Sequence, residues 1–309
     1  MALPPDSGQI LNTALNAFSD ALQGYLPQLV VWGERMFEAV VFLGLGYALV
    51  MAVTNRDWMG MIQAMGWAAL RIAIIRLVFE NFILWSGALP AMGGIIGSDV
   101  SGISATFGPS DVYALGGHIT HDLWNALHAG EFFWHPLRTS LIFPTLVVLT
   151  HILWFAAGLV FLWVIIESKW IIASGAVPVA FSAFDNTFII LDHYFVTCLQ
   201  VGIKLLVIFL VLAVGITLSN GWVATLDAAG FGINSDQIGW GVVQFLEAAL
   251  FFYAMWSLPR KAAALVRSHG SAGDPSSSGG AEAMWAVSAG AITRSVSAAV
   301  SKAIRAIKG

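Results

Sequence analysis

The sequence predicts an all-α, polytopic integral membrane protein with about five transmembrane helices, a short broken or re-entrant segment and amphipathic helices on its flanks. Three observations carry this reading. Only 10% of the 309 residues are charged and 58% are hydrophobic, whereas a soluble domain is about 25% charged. Apolar runs recur along almost the whole chain, and several exceed the roughly 20 helical residues that cross a hydrocarbon core of about 30 Å. The basic residues gather at one end: Arg260, Lys261, Arg267, Arg294, Lys302, Arg305 and Lys308 are half of the 14 in the chain. Little mass is left for a soluble domain, so one polytopic membrane domain is expected over 29–258.

The first element, within 1–28, places Leu11, Ala14, Leu15, Phe18 and Leu22 at helical spacing, predicting an amphipathic helix over 9–22. It carries no Lys or Arg, which favours a partner-facing or interfacial role over electrostatic attraction to anionic lipid. No basic n-region or small-residue cleavage site precedes it, so no removable signal peptide is expected. Spans near 29–53 and 60–85 follow. A loop over 86–139 is glycine-rich at AMGGIIGSDVSGISATFG and predicted helical from Asp111 to about His128.

Spans near 140–166, 187–218 and 239–258 complete the set. Between the first two of these lies WIIASGAVPVAFSAF at 170–184, short and interrupted by Gly175 and Pro178. A missing backbone donor at Pro178 and a flexible Gly175 weaken a continuous helix, so a re-entrant or broken element packed inside protein is expected. Residues 259–309 form a basic tail with a flexible linker at 268–280 and an amphipathic helix at 281–308. Its apolar stripe is Trp285, Ile292, Val296, Val300, Ile304 and Ile307. Cys198 lies in an apolar run and is expected to pack as a small hydrophobe.

Orientation follows from Lys and Arg outside the spans. The basic tail is expected in the cytoplasm, and five crossings then put the N-terminus outside. The outer regions agree, since residues 1–28 and 219–238 contain no Lys or Arg and 86–139 contains only Arg138.

The functional candidates are the charges inside spans, each costing about 2.5–3.5 kcal/mol to insert. Arg76 and Glu80 are four apart and can pair within one helix. Arg71 lies about 140° round the helix from Arg76 and needs another carboxylate, backbone carbonyls, water or a lipid phosphate. Lys204 and Glu247 fall in the last two spans and are candidates to pair with each other. Glu34, Arg35 and Glu38, like Asp192 and His193, read as interfacial anchors. His118, His121 and His128 share a helical face and are the one candidate metal set, although a wet interfacial helix explains them better, since no Cys or Glu completes a catalytic arrangement. No P-loop, nucleophile elbow, CxxC or HExxH pattern is present, so neither catalysis nor a cofactor is expected.

The stretch ESKWIIASGAVPVAFSAFDNTFIILDHYFVTCLQVGIKLLVIFLVLAVGI, with LPRKAAALVRSHGS further on, resembles the TrbL/VirB polytopic inner-membrane subunit of type IV secretion and conjugation machines. The marks are Gly175 and Pro178, then Phe181, Phe184 and Thr187, Tyr194 at the start of a long span, and Leu258, Pro259, Ala262, Ala263, Leu265 and Val266 after the last. The resemblance implies a scaffold and conduit subunit of the bacterial inner membrane. It further implies a homo-oligomeric ring such as a pentamer, contacts with minor pilin, pilin, the inner-membrane ATPase complex and phospholipid, and transient contact with translocating DNA or protein. The alternative from the residues alone is a secondary transporter or ion channel, suggested by Arg71, Lys204, Glu247 and the broken segment.

Overall fold

A computed structural model describes residues 9–55, 58–104, 106–129, 139–183, 189–228 and 237–270; for some helical residues, Arg71, His128 and those at 139–143, 222–228, 237–240 and 267–270 among them, only the backbone is described. All regular structure among these residues is helical. The elements are α1 (Ile10–Asn55), α2 (Trp58–Glu80), α3 (Phe82–Ser101), α4 (Pro109–Ala129), α5 (Thr139–Ser174), α6 (Ala176–Phe181), α7 (Ile189–Ala228) and α8 (Gln237–Gly270). Four stretches among the described residues are long and apolar enough to cross a membrane: Phe82–Ser101, Pro144–Phe181, Ile189–Gly221 and Gly241–Val266. The linker and the amphipathic helix expected in the tail lie outside the described residues, except that the linker's first residues, 268–270, close α8.

The helix expected over 9–22 and the span expected at 29–53 are one helix of 46 residues, α1, with Pro27 inside it. Pro27 is exposed, so the carbonyl it leaves without a donor is not trapped in a dry interior. The N-terminal turn docks on the chain itself. Asn12 accepts the Ser110 N–H at its Oδ1 (3.1 Å) and donates its own N–H to Ser110 Oγ (2.8 Å). Ser110 stands in the first turn of α4, where backbone donors have no helical acceptor.

The boundary expected at 85/86 falls inside a helix, and the glycine-rich loop expected from 86 is α3. α2 stops at Glu80 and α3 begins two residues later. Gly93 and Gly97 are contact points: a Cβ on Gly93 would stand 1.9 Å from the Gly202 oxygen, and one on Gly97 would stand 2.9 Å from Phe209 Cβ. Small residues four apart let two backbones approach closely, which favours glycine in packed apolar helices where a soluble loop rule misleads. Because Trp85 meets Phe195 while Gly97 meets Leu206 and Phe209, α3 and α7 run parallel.

The element expected at 170–184 as re-entrant or broken is divided between two helices. Helical hydrogen bonding continues through the break, from Gly175 N–H to Ile171 O and from Val179 N–H to Gly175 O, both 3.1 Å. Residues 170–174 are the last turn of α5, and α6 continues from it. The interruption falls where Pro178 cannot donate to Ser174, four residues back. α6 is packed inside protein, with Ala176, Val179 and Ala180 fully buried. At the other end, α8 runs past the boundary expected at 258 and carries Pro259 within it.

Two apolar clusters follow one another along α7. Val112, Trp154, Phe161, Ile208, Leu212, Phe251 and Met255 join α4, α5, α8 and the second half of α7. Phe37, Ile75, Phe79, Phe82, Val179, Tyr194 and Cys198 join α1, α2, α3, α6 and the first half. The apolar stretch of α7, Ile189–Gly221, has 33 residues, or about 50 Å at 1.5 Å per residue, against a hydrocarbon core of about 30 Å.

Candidate functional site

Two of the residues that the resemblance singled out, Gly175 and Tyr194, meet at an aromatic node. Gly175 is packed against Tyr194 so closely that a Cβ there would lie 2.0 Å from the ring. The Tyr194 hydroxyl donates to Ile171 O at 3.0 Å, in the last turn of α5. On its other side Tyr194 stacks on Phe82 (6.0 Å between centroids) and meets Trp85 edge-on (5.7 Å). Trp85 Nε1 donates to Val78 O at 2.8 Å, a carbonyl at the end of α2. The α2–α3 break at Asn81 and the α5–α6 break at Gly175 are thus each capped by the polar tip of a ring, and the two rings touch. Phe184 and Thr187 lie outside the described residues.

Lys204 does not pair with Glu247. Its Nζ donates to Glu167 Oε1 at 2.5 Å, with both side chains largely buried. Glu167 stands in α5, antiparallel to α7, and the axial match of those two helices decides the partner. Glu247 instead lines a small cavity with Trp154, Ser219, Gln244 and Phe251. Gln244 is buried there, and among the described residues neither its amide nitrogen nor its oxygen has a hydrogen-bond partner.

Arg76 Nε donates to Glu80 Oε1 at 3.1 Å, and Arg76 Nη1 lies 4.0 Å from Glu34 Oε1. Glu34, expected only as an anchor of the first span, therefore ties α1 to α2. Arg71 is on α2, and its side chain lies outside the described residues.

His118 and His121 are exposed on α4, and His121 Nδ1 lies 3.7 Å from Asp122 Oδ1. The His128 side chain lies outside the described residues. Among the described residues no three His, Cys, Asp or Glu are grouped to hold a metal. The histidine built into the packing is His151, which sequence reasoning passed over. Its Nδ1 is 3.1 Å from Thr120 Oγ1 and its Nε2 is 3.0 Å from Tyr113 Oη, which clasps α4 to α5.

Long apolar helices, glycine-mediated crossings and ion pairs that join helices define a polytopic helical membrane protein. Residues 39–258 match the family described as TrbL/VirB6 plasmid conjugal transfer protein. The chain belongs to that family, and so is a component of conjugal transfer by type IV secretion that works with other components of such a machine. No curated protein matches the chain.

Proposed function

We propose that this chain is the inner-membrane scaffold and conduit subunit of its secretion machine, supporting pilus assembly and the passage of DNA or protein. In this reading it forms a homo-oligomeric ring and contacts minor pilin, pilin and the inner-membrane ATPase complex. Its N-terminus lies in the periplasm and its C-terminus in the cytoplasm. Arg71 faces protein, a lipid headgroup or a central lumen, since an unpaired guanidinium among acyl chains is costly. The observation that carries the reading is the family match, which takes in the α3–α7 crossing, the aromatic node and the Glu167–Lys204 pair. The transporter alternative loses one of its motives, because Lys204 is engaged by Glu167. Deleting the chain should abolish pili and substrate transfer while leaving small-solute uptake intact; normal transfer by the deletion strain refutes the proposal.

A further inference from the structure

An open cleft of about 160 Å³ lies between α5, α7 and α8. Glu167, Lys204 and Arg260 line it together with Trp163 and Trp256. The Arg260 guanidinium lies over the Trp256 ring, 3.7 Å from its centroid. With Glu167 neutralising Lys204, the cleft retains one positive charge, held by the arginine. Its walls are otherwise apolar, so it combines a cationic point with greasy flanks. Along α5 and α8, Trp163, Trp170 and Trp256 are exposed, with the basic residues Lys169, Arg260 and Lys261 on the same two helices. Tryptophan and basic residues concentrate in this way at the membrane–water boundary.

We propose that this cleft binds a monoanionic phospholipid, with Arg260 and Lys204 holding the phosphodiester and Trp163 and Trp256 flanking its glycerol and first acyl carbons. Charge balance selects the headgroup. One phosphodiester neutralises the surplus cation, whereas a zwitterionic phosphatidylethanolamine leaves it in place. Basic pockets between membrane helices recognise anionic headgroups on this principle.

The test is native mass spectrometry on the full-length protein, delipidated in neutral detergent and titrated with phosphatidylglycerol, phosphatidylethanolamine or inorganic phosphate. Phosphatidylglycerol should be retained preferentially, and R260Q should lower its occupancy at least five-fold while K261Q leaves it unchanged. E167Q raises the charge of the cleft and should increase phosphatidylglycerol retention, an effect of opposite sign that damaged packing does not produce. An unchanged elution volume and melting temperature for R260Q separate loss of the ligand from loss of the fold. Equal retention of the two lipids, no effect of R260Q, a fall with E167Q, or displacement of the lipid by equimolar phosphate each overturn the proposal. The measurement is made without other subunits, so its outcome is independent of the role proposed in secretion.

Discussion

Adding one methyl group at Gly93 tests the α3–α7 crossing. A Cβ there stands 1.9 Å from the Gly202 oxygen, 2.4 Å from its carbonyl carbon and 2.7 Å from its Cα. All three are backbone atoms, so no rotamer change relieves the clash. Reaching the ordinary contact distance of 3.4 Å requires 3.4 − 1.9 = 1.5 Å of separation. A gap of even about 0.5–1 Å already forfeits a quarter to a half of each dispersion contact along the seam. Overpacking costs about 1–3 kcal/mol, and the upper end applies because the obstacle is rigid. Replacing glycine by alanine returns about 1 kcal/mol of helix propensity, leaving Gly93→Ala destabilised by about 2 kcal/mol. Gly87, in the same helix, has nothing within 4 Å of its added Cβ. Gly87→Ala should therefore gain about 1 kcal/mol. Thermal unfolding in detergent, followed by tryptophan fluorescence, should place the two variants on opposite sides of the wild type. Gly93→Ala melting at or above the wild-type temperature would refute the packing argument.

Removing the partner of Lys204 should be costly in a way that couples only to Glu167. A double-mutant cycle of Glu167→Gln and Lys204→Gln is expected to show about 0.5–3 kcal/mol of coupling, whereas Glu247→Gln with Lys204→Gln should be additive. At the aromatic node, Tyr194→Phe should lose about 1 kcal/mol with its hydrogen bond to Ile171 O. Gly175→Ala should lose more, by driving the ring out of its seat; equal melting of these two variants would argue against that contact. Tyr113→Phe should cost about 1 kcal/mol through the His151 bond, measurable by the same melts. Gln244→Met removes two unpartnered buried atoms and should be neutral or stabilising by up to about 2 kcal/mol; clear destabilisation would show that the amide is engaged.

The long apolar runs of α5, α7 and α8 were legible because hydropathy is a property of each helix alone. α3 was not, because AMGGIIG reads as a loop where glycine has no neighbour to meet, and its packing value appears only once Gly202 stands opposite. The interruption at Gly175 was legible through Pro178, but its consequence was not: hydrogen bonding carries the helix across the break, and the chain does not turn back. Lys204 and Glu247 were candidates for each other only because both fall in the last two spans. A local signal pointed elsewhere, since Glu167 and Lys204 are equally far in sequence from residues 185–186, near the middle of the connection between α6 and α7. Antiparallel neighbours joined by a short connection place such positions at the same height. Glu34 and His151 were hidden for a similar reason, as their partners depend on helix offsets that no single segment encodes.

The capped breaks at Asn81 and Gly175 have a mechanical consequence. α7 passes the same level without interruption, from Ile189 to Ala228, and so acts as a stiff post beside two jointed rods. Both joints press on the ring of Tyr194, so a load applied to the α1–α2 end should swing α2 and α6 about one pivot while α7 stays straight. Compliance would then be confined to a single level of the bundle. Amide exchange should be fastest around Asn81 and Gly175 and slow along α7 between Tyr194 and Leu212; uniform exchange along all three rods would remove the pivot.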